Sequence, residues 1–109
     1  MRDVRNLHER LRSLPWPALA GTVGDFALYE TLLAGCADTA VRGGVLDVSK
    51  VPDPDEETIR QVQVLRKKHH LTSEEMKFLE YFNLLEEIGI ALKDSQSDWA
   101  TVVGVRVDF

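Results

Sequence analysis

Apolar side chains at Val4, Leu7, Leu11 and Leu14 recur at spacings of three and four, which at about 100° per residue draws one stripe down a helix. Arg5, Glu9 and Arg12 take the other faces, and Pro15 closes the helix because it lacks an N–H and restricts the residue before it. A second helical stretch is predicted from near Asp25 through FALYETLLAGCADTAVR to Gly43 and Gly44. Asp25 can accept hydrogen bonds from the first-turn amides, and glycine past the last turn reaches positive φ without strain. Gly35 interrupts this stretch at a cost of about 1 kcal/mol relative to alanine. The pattern therefore predicts either a break at Gly35 or another helix packed close against Ala34, Ala37 and Ala40.

The segment Val45 to Val51 is the first with β-branched character and reads as extended. Asp53-Pro54-Asp55-Glu56 then reads as a helix start, with Asp53 as cap, proline at the first helical position and Glu56 at the third completing a capping box. Along that helix Ile59, Val62, Leu65 and His69 share a face. A fresh start follows: Thr72 and Glu75 form a second capping box, and Leu71 and Met76 are spaced as a hydrophobic staple. The basic run Arg66, Lys67, Lys68, His69 and His70 is thereby placed in the last turn of the earlier helix, where cations meet the negative end of the macrodipole.

From Ser73 to about Lys93, Phe78, Tyr81, Leu85, Ile88 and Leu92 repeat at three and four, a packing seam broadened by Phe82, Leu84 and Gly89. Glu80, Asn83 and Glu87 line the opposite side, with Glu86 beside them. After the polar stretch 93–98 the period changes to two: Trp99, Thr101, Val103, Val105, Val107 and Phe109 alternate with the rest, which predicts a strand. A lone strand leaves its backbone unpaired, so its mate is expected to be the segment 45–51, the same strand of a second subunit, or a partner protein. The expected fold is thus mainly α, one domain over residues 1–109: a compact bundle of about four helices with a terminal strand at 99–109.

Composition narrows the functional classes. With 44% hydrophobic and 28% charged residues in 109, the chain has the make-up of a folded domain rather than a disordered one. Its formal charge of -5 repels phosphate backbones. A DNA-reading helix-turn-helix at 66–78 would lead with Glu74 and Glu75, and its helix would expose Glu80, Glu86 and Glu87, so no direct nucleic-acid partner is expected. Adjacent residues on a helix diverge by about 100°, so His69 and His70 make a poor metal pair, and no HExxH or cysteine ladder joins them. The charged N-terminal segment holds no secretory apolar core, no stretch suits a membrane span, and the single Cys36 fits a reducing, cytoplasmic setting.

No glycine-rich phosphate loop, GxSxG elbow or Cys/His nucleophile spacing occurs in the chain. No cofactor and no metal is therefore expected. The first functional expectation is a non-catalytic acidic interaction module, a regulator, adaptor or inhibitor that docks a basic protein partner or a second copy. Its expected contact residues are the carboxylate face Glu80, Asn83, Glu86 and Glu87 and the strand residues Val103, Val105 and Val107. The alternative is a small enzyme or small-molecule binder with a pocket among Trp16, Tyr29 and Tyr81, served by carboxylates such as Asp25, Glu30 or Asp47.

Overall fold

The computed structural model describes the backbone of residues 4–107 and the side chains of residues 4–94. It is mainly helical: α1 (Val4–Ser13), α2 (Phe26–Val41), α3 (Glu56–Lys67) and α4 (Ser73–Val107), with 3-10 turns at Ala18–Thr22 and Val48–Lys50. Among the described residues there is no strand. Helices α1, α2 and α4 pack mutually, and α3 lies along α4.

The stripe on α1 faces inward at Leu7 and Leu11, with Val4 and Leu14 half-buried at its ends. After Pro15 the chain crosses the end of the bundle, and Ala20 and Val23 plug the core from there. At Gly24 it turns into α2 with φ +41, a region where side chains with a Cβ are strained. A Cβ on Gly24 would also lie 2.6 Å from Asp55 Oδ2 and 3.0 Å from the Glu57 Cβ. Glycine is required there for both reasons.

Phe26, fully buried at the start of α2, is the hub of an aromatic core. Its ring centroid lies 5.0 Å from Phe78, 5.7 Å from Trp16 and 6.2 Å from Tyr81 and Phe82. From α4, Phe78, Leu85, Ile88 and Leu92 of the predicted seam are sealed from solvent, and Tyr81 nearly so. At about 1.5–3 kcal/mol for each fully buried large side chain, this ridge is a major part of the core.

Helices α3 and α4 form an antiparallel hairpin, joined through residues 68–72. Lys68 reaches Glu75 at 2.6 Å next to the turn, Arg66 reaches Asn83 and Glu86 further on, and Lys93 reaches Asp53 at 2.7 Å at the far end. The Thr72 and Glu75 capping box forms in both directions, Glu75 N–H to Thr72 Oγ1 at 3.1 Å and Thr72 N–H to Glu75 Oε1 at 2.9 Å. Lys68 and the Thr72 amide hold the Glu75 carboxyl below the usual carboxylate range.

Several expectations are corrected. The strand expected at 99–109 is not supported, since the backbone continues as α4 to Val107, and residues 108 and 109 lie outside the described set. Residues 93–98 contain neither proline nor glycine, and an established helix gains one backbone hydrogen bond with every residue it adds. A strand needs a mate, and the segment 45–51 offers none: it is a loop with a 3-10 turn, anchored by Leu46 and Val51 in the core. The cap of α3 is Asp55 rather than Asp53, because the Asp55 carboxylate reaches both the amide and the hydroxyl of the fully buried Thr58. Asp53 is left to pair with Lys93.

The Asp25 side chain does not cap α2. The Asp25 backbone N–H instead donates to Asp55, so one carboxylate serves the starts of two helices. His69 falls beyond the end of α3 and is exposed; Thr58, Val62 and Leu65 form the buried face, while Ile59 turns outward. Only Arg66 and Lys67 of the basic run occupy the last turn of α3. Met76 is exposed, and it lines one open surface together with the half-buried Leu71. Helix α2 passes through Gly35 unbroken, and among the described residues a Cβ there would meet nothing within 4 Å, so neither a break nor a close described helix accounts for that glycine.

Candidate functional site

Turning the apolar ridge of α4 inward presents its other faces to solvent. Glu80, Asn83 and Glu87 are exposed and Glu86 is half-exposed, as the spacing predicts. They line an open groove of about 610 Å³ between the outer surface of α4, Arg10 of α1 and Leu71 of the interhelical turn. Its apolar lining comes from Leu79 and the buried Leu84, and from Met76 and Ile90, which are 53% and 44% exposed.

The four polar residues are not equivalent. Arg66, at the end of α3, donates to Asn83 Oδ1 at 2.7 Å and Glu86 Oε1 at 3.0 Å, and its guanidinium carbon stands 5.7 Å from the Phe82 ring centroid. Asn83 and Glu86 are thereby engaged in bracing α3 against α4. Glu80 and Glu87 make no ion pair among the described residues. They stand seven residues apart, two helical turns or about 10 Å along one side of the helix. The groove thus offers two solvated carboxylates framing a strip of exposed apolar surface.

The other expected contact residues, Val103, Val105 and Val107, belong to the part of α4 whose side chains are outside the described set. Their backbone is helical, so they do not present the pairing edge that was expected of them.

Of the aromatic positions considered for a pocket, Tyr29 and Tyr81 are core, whereas Trp16 is 46% exposed and lies at its rim. Trp16 meets Tyr81 edge-on at 5.7 Å, and Tyr29 lies 6.2 Å from Phe82. Tyr81 donates to Glu30 Oε1 at 3.3 Å. Burial, and then the charge of Glu30, pushes the Tyr81 hydroxyl well above the ordinary tyrosine range; burial, with Glu86 and Asp53 nearby, does the same to Tyr29. Asp25 lines a small hollow of about 120 Å³ with Tyr29, Asp53 and Asp55, whereas Asp47 folds back on Ser49 and lines a different hollow. The carboxylates weighed for the catalytic alternative are thus distributed over separate places.

Among the described residues, no three His, Cys, Asp or Glu side chains are arranged to hold a metal ion. Burial raises the Cys36 thiol above its usual range. No helix among the described residues is long and apolar enough to cross a membrane. The role of Arg66 escapes sequence reading, because its partners lie 17 and 20 residues away and only the hairpin brings them together. Comparison with known protein families, curated proteins and solved structures returns no match for this chain.

Proposed function

We propose that this protein is an acidic protein-binding module that receives a basic amphipathic segment of a partner along the outer groove of α4. The observation that carries the reading is the placement of Glu80 and Glu87 beside Met76, Leu79 and Ile90 on one open surface. An amphipathic helix presents apolar anchors at helical spacing and cations two turns apart on the adjoining face. Its anchors would cover Met76, Leu79 and Ile90, and its cations would meet Glu80 and Glu87. The net charge of -5 steers such a segment toward the protein and weakens as salt rises. The groove lies on a packed part of the fold, since α4 is buried along one side from Phe78 to Leu92 and is joined to α3 by Arg66.

The test is fluorescence anisotropy with amphipathic helical peptides that carry lysines two turns apart, against the same compositions scrambled. The patterned peptides should bind more tightly, lose affinity between low and moderate salt, and lose about tenfold or more when Glu80→Lys and Glu87→Lys are combined. Met76→Asp should weaken binding without changing the salt dependence. Equal binding of patterned and scrambled peptides, or binding indifferent to the charge reversal, refutes the reading.

A further inference from the structure

A second surface, on the far side of α2 from the core, has features that the groove on α4 does not explain. The buried residues of α2 are Phe26, Tyr29, Leu33 and Ala37. Away from them run Asp25, Leu28, Leu32, Gly35, Thr39 and Arg42, at spacings of three, four, three, four and three. This is the period of a helix-packing seam, yet it faces outward: Leu28 is 59% exposed and Leu32 is 49% exposed. Both are large apolar residues where a solvated helix normally places polar ones. Beside them, in the loop after the helix, Val45 is 99% exposed.

The seam has a knob and a hole. Among the described residues a Cβ at Gly35 would meet nothing within 4 Å, and the space forms a hollow of about 370 Å³ lined by Leu32, Cys36, Thr39, Val45 and Leu46, with Asp47 and Lys50 at its edge. Leu32 projects three residues away. An antiparallel pair of α2 helices related by a twofold axis between Leu32 and Gly35 seats each Leu32 in the other copy's hollow and places each Leu28 against Thr39. Glycine at the crossing removes the side chain that would otherwise keep the two helices apart.

The ends of the seam select the same arrangement. In that register Asp25 of one copy meets Arg42 of the other at both extremities, with opposite charges in contact. A parallel pair would set Asp25 against Asp25 and Arg42 against Arg42. Among the described residues Arg42 pairs with Asp38, at 3.0 Å, with side chains 77% and 45% exposed. Pairs of that kind contribute little, so turning the guanidinium toward a second copy costs little.

We infer that the protein self-associates as a twofold dimer through α2, with Leu32 of each copy seated over Gly35 of the other and Asp25 paired with Arg42 across the interface. The occupant of this face is a second copy of the chain, because the surface is complementary to itself in shape, periodicity and charge. The α4 groove remains outside this interface, so a dimer would present two of them. The dimer does not depend on what the groove binds.

Sedimentation velocity of the full chain over a range of concentrations tests the inference. The expected result is a reversible monomer–dimer equilibrium. Gly35→Leu fills the hole from open space and removes a mid-helix glycine, so it should keep or raise the melting temperature while weakening the dimer by about thirtyfold or more, the effect of losing one interfacial hot spot. Leu32→Glu should do the same from the knob side. Asp25→Arg and Arg42→Glu should each weaken association, and the double variant should recover it. A wild-type protein that stays monomeric at millimolar concentration, or a dimer indifferent to both Gly35→Leu and Leu32→Glu, overturns the inference. A double charge reversal that fails to recover association overturns the antiparallel register.

Discussion

Replacing Asp55 by alanine removes the group that ties two helix starts together. The carboxylate accepts from the Thr58 amide at 3.4 Å, from the Thr58 hydroxyl and from the Asp25 backbone N–H. Loss of an N-cap costs about 1 kcal/mol. The larger consequence falls on Thr58, which is fully buried; a buried hydroxyl left without its acceptor costs about 1–3 kcal/mol. The Asp25 amide lies at an exposed residue, where water can replace the lost acceptor. The expected destabilisation is therefore about 2–4 kcal/mol. At about 4 °C or more per kcal/mol for a domain of this size, the melting midpoint falls by roughly 10 °C or more.

Urea denaturation followed by circular dichroism measures the cost, and a double-mutant cycle with Thr58→Val isolates its origin. Valine keeps the shape of threonine and removes the hydroxyl, so the double variant should be more stable than the sum of the single losses by about 1–2 kcal/mol. The pH dependence carries its own sign. Thr58, above all through its hydroxyl, and the Asp25 amide hold the folded carboxyl below the usual range against the opposing effect of partial burial. The Asp55 contribution is therefore complete above the unfolded value of about 3.9 and is lost as pH falls through the lower folded value. The stability gap between wild type and Asp55→Asn should narrow on acidification within that window. A loss below about 0.5 kcal/mol for Asp55→Ala, within the noise of ordinary surface substitutions, or strict additivity with Thr58→Val, refutes this account of the junction.

Gly24→Ala should destabilise by more than about 1 kcal/mol in the same assay, because the new methyl meets both an unfavourable positive φ and the Asp55 carboxylate. Phe26→Ala, at the centre of the aromatic core, should cost about 3–5 kcal/mol and remove near-ultraviolet dichroism before helical signal is lost. Thr72→Ala breaks one half of the α4 capping box and should cost about 1 kcal/mol, measurable as faster amide exchange in the first turn of α4. The chain has two tyrosines, and burial shifts both upward, so absorbance should show no tyrosinate step near pH 10 while the protein is folded. Because the neutral phenols are favoured in the fold, stability should decline as pH rises above that value. A normal tyrosine titration in folded protein would contradict the packing of Tyr29 and Tyr81.

Much of the candidate groove is legible in the sequence. The spacing of Phe78, Tyr81, Leu85 and Ile88 dictates which side of the helix is buried, and Glu80, Asn83 and Glu87 are left outside by the same rotation. Spacing does not say which carboxylates are already occupied. Arg66 claims Asn83 and Glu86, and that distinction exists only once α3 lies beside α4. The outward seam on α2 was harder to see, because apolar residues occur around much of that helix and its inward and outward stripes overlap in the sequence. Burial of Leu33 and exposure of Leu32 separate two adjacent leucines that periodicity alone does not rank.

Local signals settled the helix count through Lys93, the stop at Pro15, the glycine at the end of α2 and the break before Thr72, because caps and turns act through a few bonds between neighbours. The position of the α3 cap was decided at longer range. Both Asp53 and Asp55 are competent, and Asp55 takes the role where its oxygens meet buried Thr58 and the Asp25 amide from the preceding helix. The same holds at residues 99–107, where alternating valines favour a strand only if another strand is present to pair with them. The segment 45–51 is folded into a loop against the core, and the chain continues as helix, the one regular structure that satisfies its backbone without a neighbour.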